Sequence, residues 1–349
     1  MTRLDDTYAL VSIASVSKGE AAIAAYVEAR LRAAEFLDVE RVGDNVVART
    51  SGHHASRVLV AGHLDTVPGD ASKALIVGEE LRGVGACDMK GSLAVMLALA
   101  VDDTPRSSEV TWIFYAREEI SRSESGLLEI AELRPDLLRG DVAILCEPTN
   151  GVVEAGCQGT LRVSVTLWGR RAHTARAYTG LNAIHRLGVV IEQVAAYRSR
   201  SVSIDGVNYM EQLQAVAVEG GVAPNVVPDS ATLTLNHRFA PDRTKDEAVA
   251  WLRDYLGEVL EDGDTFTVLD WAPSAPPSLS NERLFDLIQR TEQPPLGKAG
   301  WTDVATFQEL GVPAANFGAG DPLLAHRSDE FVTLAQLENF ESVFRSWLS

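Results

Sequence analysis

The chain has 349 residues, enough for about two domains at the usual ~150 residues each, with real cores in both. Forty-nine acidic against 31 basic residues leave a net charge of −18, so neither duplex nucleic acid nor an anionic membrane surface is an expected partner; both need a basic footprint. The longest apolar run, Leu93–Val101, is nine residues where a bilayer needs ~20. No apolar stretch follows Met1, so no export signal is expected, and three scattered cysteines suit a reducing cytoplasm rather than a disulfide framework.

The first 40 residues read as helical, with apolar positions at Ile13, Ala21, Ala24, Val27 and Leu31. After Gly52 come short, nearly continuous apolar runs, RVLVA (57–61), VTWIFYA (110–116) and DVAILC (141–146), the pattern of strands buried on both faces of a parallel sheet. Helical segments are expected between them at Gly91–Ala100 and Gly126–Leu133. From Thr160 the pattern changes to alternation in LRVSVTLW (161–168), then a helix near Asn182–Tyr197 and strands near Leu213–Glu219 and Ala231–Phe239. A helix opened by the capping spacing Thr244/Glu247 follows, then a strand at Thr265–Trp271. Strand-helix-strand-strand-helix-strand is the ferredoxin-like order. Beyond the proline-rich stretch Ala272–Pro277, Leu284–Thr291 and Val304–Leu310 return to helix and Pro313–Phe317 to strand. The expected layout is an α/β domain with a mostly parallel sheet (1–159 and 274–349) interrupted by an inserted α+β domain (160–273).

Acids and histidines follow the apolar runs. His63 and Asp65 lie in AGHLDTVP, Asp88 in GVGACDMKG, Glu118 and Glu119 after VTWIFYAR, Glu147 after DVAILC, and His326 in AGDPLLAHRSDE. Open α/β sheets gather such residues at the carboxyl ends of their strands. Two imidazoles and three carboxylates meeting there suit zinc, cobalt or manganese, and a dication would relieve their mutual repulsion. Each piece alone is also what a solvated loop would carry. Cys87 and Cys146, next to Asp88 and Glu147, read as inert packing. Gly83-x-Gly85 lacks the third glycine of a dinucleotide fingerprint, and no phosphate loop is present. His53 and His54 read as a loop tip, His185 as a helix-face residue and His237 as a strand residue.

In their order and spread, AGHLDTVP, GVGACDMKG, YAREEIS, CEPT and the AH of FGAGDPLLAHRSDE resemble the zinc-dependent M20 metallopeptidases, the aminoacylase/carboxypeptidase G2-like group. The resemblance implies a zinc-exopeptidase-like catalytic domain whose insertion serves as lid and dimerisation domain, and a cytoplasmic homodimer. It implies two divalent ions per subunit, zinc or alternatively cobalt. Asp88 would bridge them, with His63 and Glu147 completing one site and Glu119 and His326 the other. Asp65 would orient His63, Glu118 would act as general base and acid in amide hydrolysis, and the peptide after Asp88 would be cis. His173, in GRRAHTAR, matches the histidine that reaches the partner subunit's site; the alternative is an exposed histidine in an arginine-rich loop.

Between Thr160 and Arg200 seven arginines stand against one acid, Glu192. They would steer a substrate with several carboxylates, or else form salt bridges on the outer face. Arg238, in TLNHRF, is the expected carboxylate clamp, and Asn225, in APNVVPD, an added amide contact. EAGCQGTLRV, GVAPNVVPD, LNHRFAPD and GWTDVATF resemble a subgroup acting on an N-succinylated diamino diacid, a small tricarboxylate; acetylornithine deacetylase-like or aminoacylase-like deacylation is the sibling reading. Thr160, Gly300, Trp301 and Thr302 would then line the pocket. Cys157-Gln158 stands where many members outside the subgroup have a basic pair, so one carboxylate contact must be made otherwise.

Overall fold

The computed structural model describes residues 2–52 and 54–349; His53 lies outside them. The chain divides into two compact units. One comprises the chain up to Gly156 with Pro277–Gly297 and Thr302–Ser349, the other Cys157–Pro276 with Lys298–Trp301.

The first unit is built on an eight-stranded sheet in the order Leu37–Val42, Asn45–Thr50, Glu109–Tyr115, Arg57–His63, Val142–Leu145, Ala314–Asn316, Glu154–Ala155, Leu296–Gly297. Its four central strands, from Glu109–Tyr115 to Ala314–Asn316, run parallel. Glu109–Tyr115 and Val142–Leu145 are buried at every position, which is why they read as unbroken apolar runs without alternation. The helix Gly91–Ala100 is apolar on all sides because nine of its ten residues are buried. The C-terminal helix Leu334–Leu348 starts at a capping box, Thr333 with Gln336, and buries Leu337, Phe340, Phe344, Trp347 and Leu348.

The first 40 residues are not helical throughout. Helices form at Arg3–Val11 and Ala21–Arg32, but Leu37–Val42 is a strand paired antiparallel with Asn45–Thr50. Gly43, with φ +60°, turns that hairpin; Asn45–Thr50 is anchored on Glu109–Tyr115, and pairing with Asn45–Thr50 outweighs the weak local preference of Leu37–Val42.

The second unit has the ferredoxin-like arrangement. Its sheet runs Gln212–Gly220, Ser230–Phe239, Gly159–Trp168, Thr265–Ala272, every neighbour antiparallel. Leu161, Val163, Val165 and Leu167 alternate into a core shared with the helices Ala183–Ala195 and Lys245–Gly257. The opposite face carries Thr160, Arg162, Asn236 and Arg238. A hairpin, Ser201–Ile204 with Val207–Met210, was not evident from the sequence pattern. Among the described residues no helix is long and apolar enough to cross a membrane.

Candidate metal centre

The four parallel strands end at one edge of the sheet. His63 is the last residue of its strand and pairs with Tyr115, after which the chain turns through Arg117 to Glu118 and Glu119. Leu145 pairs with Asn316; Glu147 follows the first of these strands, and the loop to His326 follows the second. Asp88 comes from the turn Ala86–Lys90 that leads into the apolar helix.

The side chains converge. His63 Nε2 lies 3.1 Å from Asp88 Oδ1 and 3.9 Å from Glu147 Oε1. His326 Nε2 lies 3.4 Å from Asp88 Oδ2 and 3.0 Å from Glu119 Oε1. Each oxygen of Asp88 therefore faces a different imidazole, the disposition a bridging carboxylate needs. Donor atoms of His63, Asp88 and Glu119 all lie within 4.8 Å of one another. The set offers nitrogen and oxygen and no thiolate, which suits a borderline-to-hard divalent ion.

Asp65 organises this edge from behind. His63 Nδ1 sits 3.0 Å from the Asp65 main-chain oxygen and 3.6 Å from its carboxylate. Either acceptor places the ring proton on Nδ1 and leaves the Nε2 lone pair for the cluster. The Asp65 carboxylate also accepts from the Ser17 hydroxyl (2.6 Å) and from the backbone N–H groups of Glu118 (3.0 Å) and Glu119 (3.1 Å). It thus fixes both glutamates as well as the histidine. Arg117 has φ +62°, and its N–H is bound by buried Glu20 (3.1 Å) while its guanidinium is held by Glu129 (2.6 Å). The Asp88–Met89 peptide is cis. Ser17 and Glu20 gave no sequence signal: both lie in a short polar loop like many others.

Burial and charge shift these groups in opposite senses. Burial alone would lower the proton affinity of His63, but hydrogen bonds to Asp65 and Asp88 and the charge of Glu147 raise it well above the usual range. Hydrogen bonds to Asp88 and Glu119 raise His326 to about 10. In the absence of a cation these imidazolium protons balance the carboxylates; a dication bound to the same nitrogens would displace them. Glu118 differs. Burial, reinforced by the charges of Glu147, Glu119 and Asp303 and opposed by His63, raises it well above the ordinary carboxyl range. A carboxyl of high proton affinity beside an electrophilic site is suited to accept and return a proton.

The second unit brings together two further expected residues. Ala172–His173 pairs with Val226–Val227, and the Thr174 N–H donates to the Asn225 carbonyl (3.1 Å). His173 Nδ1 accepts from the Ala175 N–H (3.0 Å), so the neutral ring carries its proton on exposed Nε2 and presents a donor. Arg238 lies opposite Thr160 and Gln212 in the sheet. It is half-buried, and no acid among the described residues pairs with it. A Cβ on Gly300 would meet nothing within 4 Å, and the Trp301 indole donates to the Pro273 carbonyl (3.1 Å). Thr302, in the first unit, is buried beside Asp303. Gln158 is also buried, its amide donating to the Met210 carbonyl (2.8 Å).

The arginine-rich stretch is mostly structural. Arg162 pairs with Asp270, Arg171 with Asp229, Arg186 with Asp264, and Arg200 with Glu211 and Asp242. All these acids lie beyond the 160–200 window, so the local surplus of positive charge is largely neutralised in three dimensions.

The sheet-edge cluster and the fold together define a metallopeptidase-type hydrolase: the chain belongs to peptidase family M20/M25/M40, whose profile matches residues 59–349. It is 46% identical over 345 residues to a protein of Mycobacterium tuberculosis provisionally named succinyl-diaminopimelate desuccinylase DapE, covering 98% of this chain and 96% of that one. It is 42% identical over 350 residues to the succinyl-diaminopimelate desuccinylase of Corynebacterium glutamicum, covering 98% and 95%. Among solved structures, a tripeptidase from Staphylococcus aureus superposes with a TM-score of 0.81 at 20% identity, covering 99% of this chain and 97% of that one. The Bacillus subtilis YXEP protein, described as a dinuclear metal-binding M20 peptidase, superposes with a TM-score of 0.71 at 16% identity over 99% and 96%.

Proposed function

We propose that the protein hydrolyses N-succinyl-L,L-2,6-diaminopimelate to succinate and L,L-2,6-diaminopimelate, a step toward lysine and meso-diaminopimelate. The observation that carries the reading is the full-length 42% identity to the C. glutamicum protein, whose name states this reaction. Unpaired Arg238 supports it, because a half-buried guanidinium without an acid is suited to an anionic substrate.

In this reading His63 and Glu147 would hold one divalent ion and Glu119 and His326 a second, each zinc or cobalt in its place, with Asp88 as a ligand shared by both. The donor set fits such ions: each carboxylate oxygen of Asp88 already faces its own imidazole. Bound dications supply Lewis acidity, lowering the proton affinity of water and polarising the amide carbonyl. Glu118 takes the proton of the attacking water and delivers it to the departing amine nitrogen. Asp65 holds the His63 tautomer and the backbone of Glu118 and Glu119 while this happens. His173, through its Nε2–H, donates to the developing oxyanion in the partner subunit's site, and Arg238 takes a substrate carboxylate. Asn225, Thr160, Gly300, Trp301 and Thr302 supply the remaining substrate contacts.

This reading requires a homodimer formed through the inserted unit. Its support is the strand Gln212–Gly220, which lies at an edge of its sheet and exposes Val216 and Val218, near a helix exposing Ile184, Val189 and Ile191. The protein is proposed to work in the cytoplasm.

The test is succinate release by metal-loaded and chelated protein, with N-acetylornithine in parallel. Turnover of the succinyl substrate that needs metal supports the proposal. Preference for acetylornithine would replace it with the sibling deacylase reading, and loss of the arginine argument would follow.

A further inference from the structure

We propose that Glu330 is a positioning residue that sets the Asp88 turn for metal binding. The inference rests on the metal-centre reading above. Glu330 is 2% exposed, and both of its carboxylate oxygens are engaged by backbone of the Asp88 turn. Oε1 accepts from the N–H groups of Cys87 and Asp88, each at 2.8 Å, and Oε2 accepts from the Gly85 N–H at 3.0 Å. Its own carbonyl accepts from the Gly83 N–H at 3.1 Å. One residue thus binds four N–H groups of the segment from Gly83 to Asp88.

Inside this segment the backbone adds the bonds Ala86 N–H to the Gly83 carbonyl (3.0 Å) and Lys90 N–H to the Gly85 carbonyl (2.8 Å), which leave the N–H groups of Gly85, Cys87 and Asp88 to Glu330. Gly85 is left-handed, with φ +77°, and a Cβ there would meet Thr66 Cγ2 at 2.6 Å, so close approach of the backbone is required at this point. Charge-assisted bonds to a buried carboxylate are the strong kind, and three converging N–H groups leave the carboxylate little freedom. Glu330 also follows His326 by four residues, and His326 Nε2 lies 3.4 Å from Asp88 Oδ2. The same short segment therefore presents one candidate ligand and clamps the backbone of the other. Glutamine could not replace it: one acceptor oxygen would remain, and the amide NH₂ would point at an N–H.

The experiment measures zinc affinity by competition with a chromophoric chelator, and the visible absorption of the cobalt-loaded protein, for the wild type, Glu330→Gln and Glu330→Asp. Removal of a group that orients a metal ligand is expected to weaken zinc binding tenfold to a hundredfold in Glu330→Gln and to change the cobalt spectrum. Glu330→Asp, which keeps the charge and both oxygens on a shorter stem, recovers part of both. Wild-type zinc affinity and an unaltered cobalt spectrum in Glu330→Gln would overturn the proposal, whatever happens to its unfolding temperature. A wild type that binds neither ion would instead remove the metal-centre reading and carry this inference down with it.

Discussion

Arg238 and Arg186 stand in the same unit of an arginine-rich chain, and replacing each by methionine should have opposite consequences. Arg186 forms a two-pronged ion pair with Asp264, at 2.9 and 2.6 Å, and the Asp264 side chain is only 2% exposed. Removing that guanidinium leaves a buried carboxylate without its cation, a loss of about 3 kcal/mol in stability. Arg238 has no acid to abandon among the described residues. Burial disfavours its charge, lowering its proton affinity, so methionine of similar length is expected to leave stability within about 0.5 kcal/mol of wild type or to raise it. Its loss should appear in catalysis. A hydrogen bond between charged groups contributes about 1.5–3 kcal/mol, so kcat/KM for the succinyl substrate should fall roughly 10- to 150-fold. Arg238→Lys keeps a point charge without the planar fork and should lie in between. Urea unfolding and steady-state kinetics on the two methionine variants measure both effects. If Arg238→Met unfolds as readily as Arg186→Met while kcat/KM holds, Arg238 is a structural residue and the clamp assignment is wrong.

Glu118→Gln should lower kcat by about 10²- to 10⁴-fold with metal content unchanged by elemental analysis; retained turnover would take Glu118 out of the chemistry. Chelation should lower the unfolding temperature as well as activity, because an ion that binds the folded site and not the unfolded chain stabilises the fold; binding at 1,000 times Kd contributes about 4 kcal/mol. Calorimetry with and without chelator would expose the error if the two traces coincide. His237 is fully buried against Trp251 (ring centroids 4.7 Å), and burial lowers it to about 4 from 6.5. The folded state therefore favours the neutral ring: stability is complete above pH 6.5 and declines as pH falls toward 4, by up to about 3 kcal/mol. His237→Leu should flatten that decline, and a wild-type-minus-variant difference that does not vary between pH 7 and 4.5 would contradict the assignment.

Several parts of this protein follow from local sequence alone. Runs such as VTWIFYA are apolar at every position because both faces of the sheet are covered, and LRVSVTLW alternates because one face of its sheet is not. Residues next to such runs must emerge at strand ends, so His63, Glu118, Glu119 and Glu147 could be placed at one edge from the linear order. Thr244 with Glu247 announces a helix start that the structure contains. Pairing across long separations could not be read that way. The arginines of the inserted unit looked like a basic field until Asp229, Asp242, Asp264 and Asp270 met them from strands and loops 42 to 108 residues away. Leu37–Val42 became a strand because a sheet edge was waiting for it, not because its own residues demanded one. Glu330 grips backbone N–H groups 242 to 245 positions earlier. Periodicity reports which face of an element is buried, since that depends on neighbours within a few residues. Which charge meets which, and which carboxylate closes on which turn, is decided when the chain packs, and one-dimensional spacing carries no record of it.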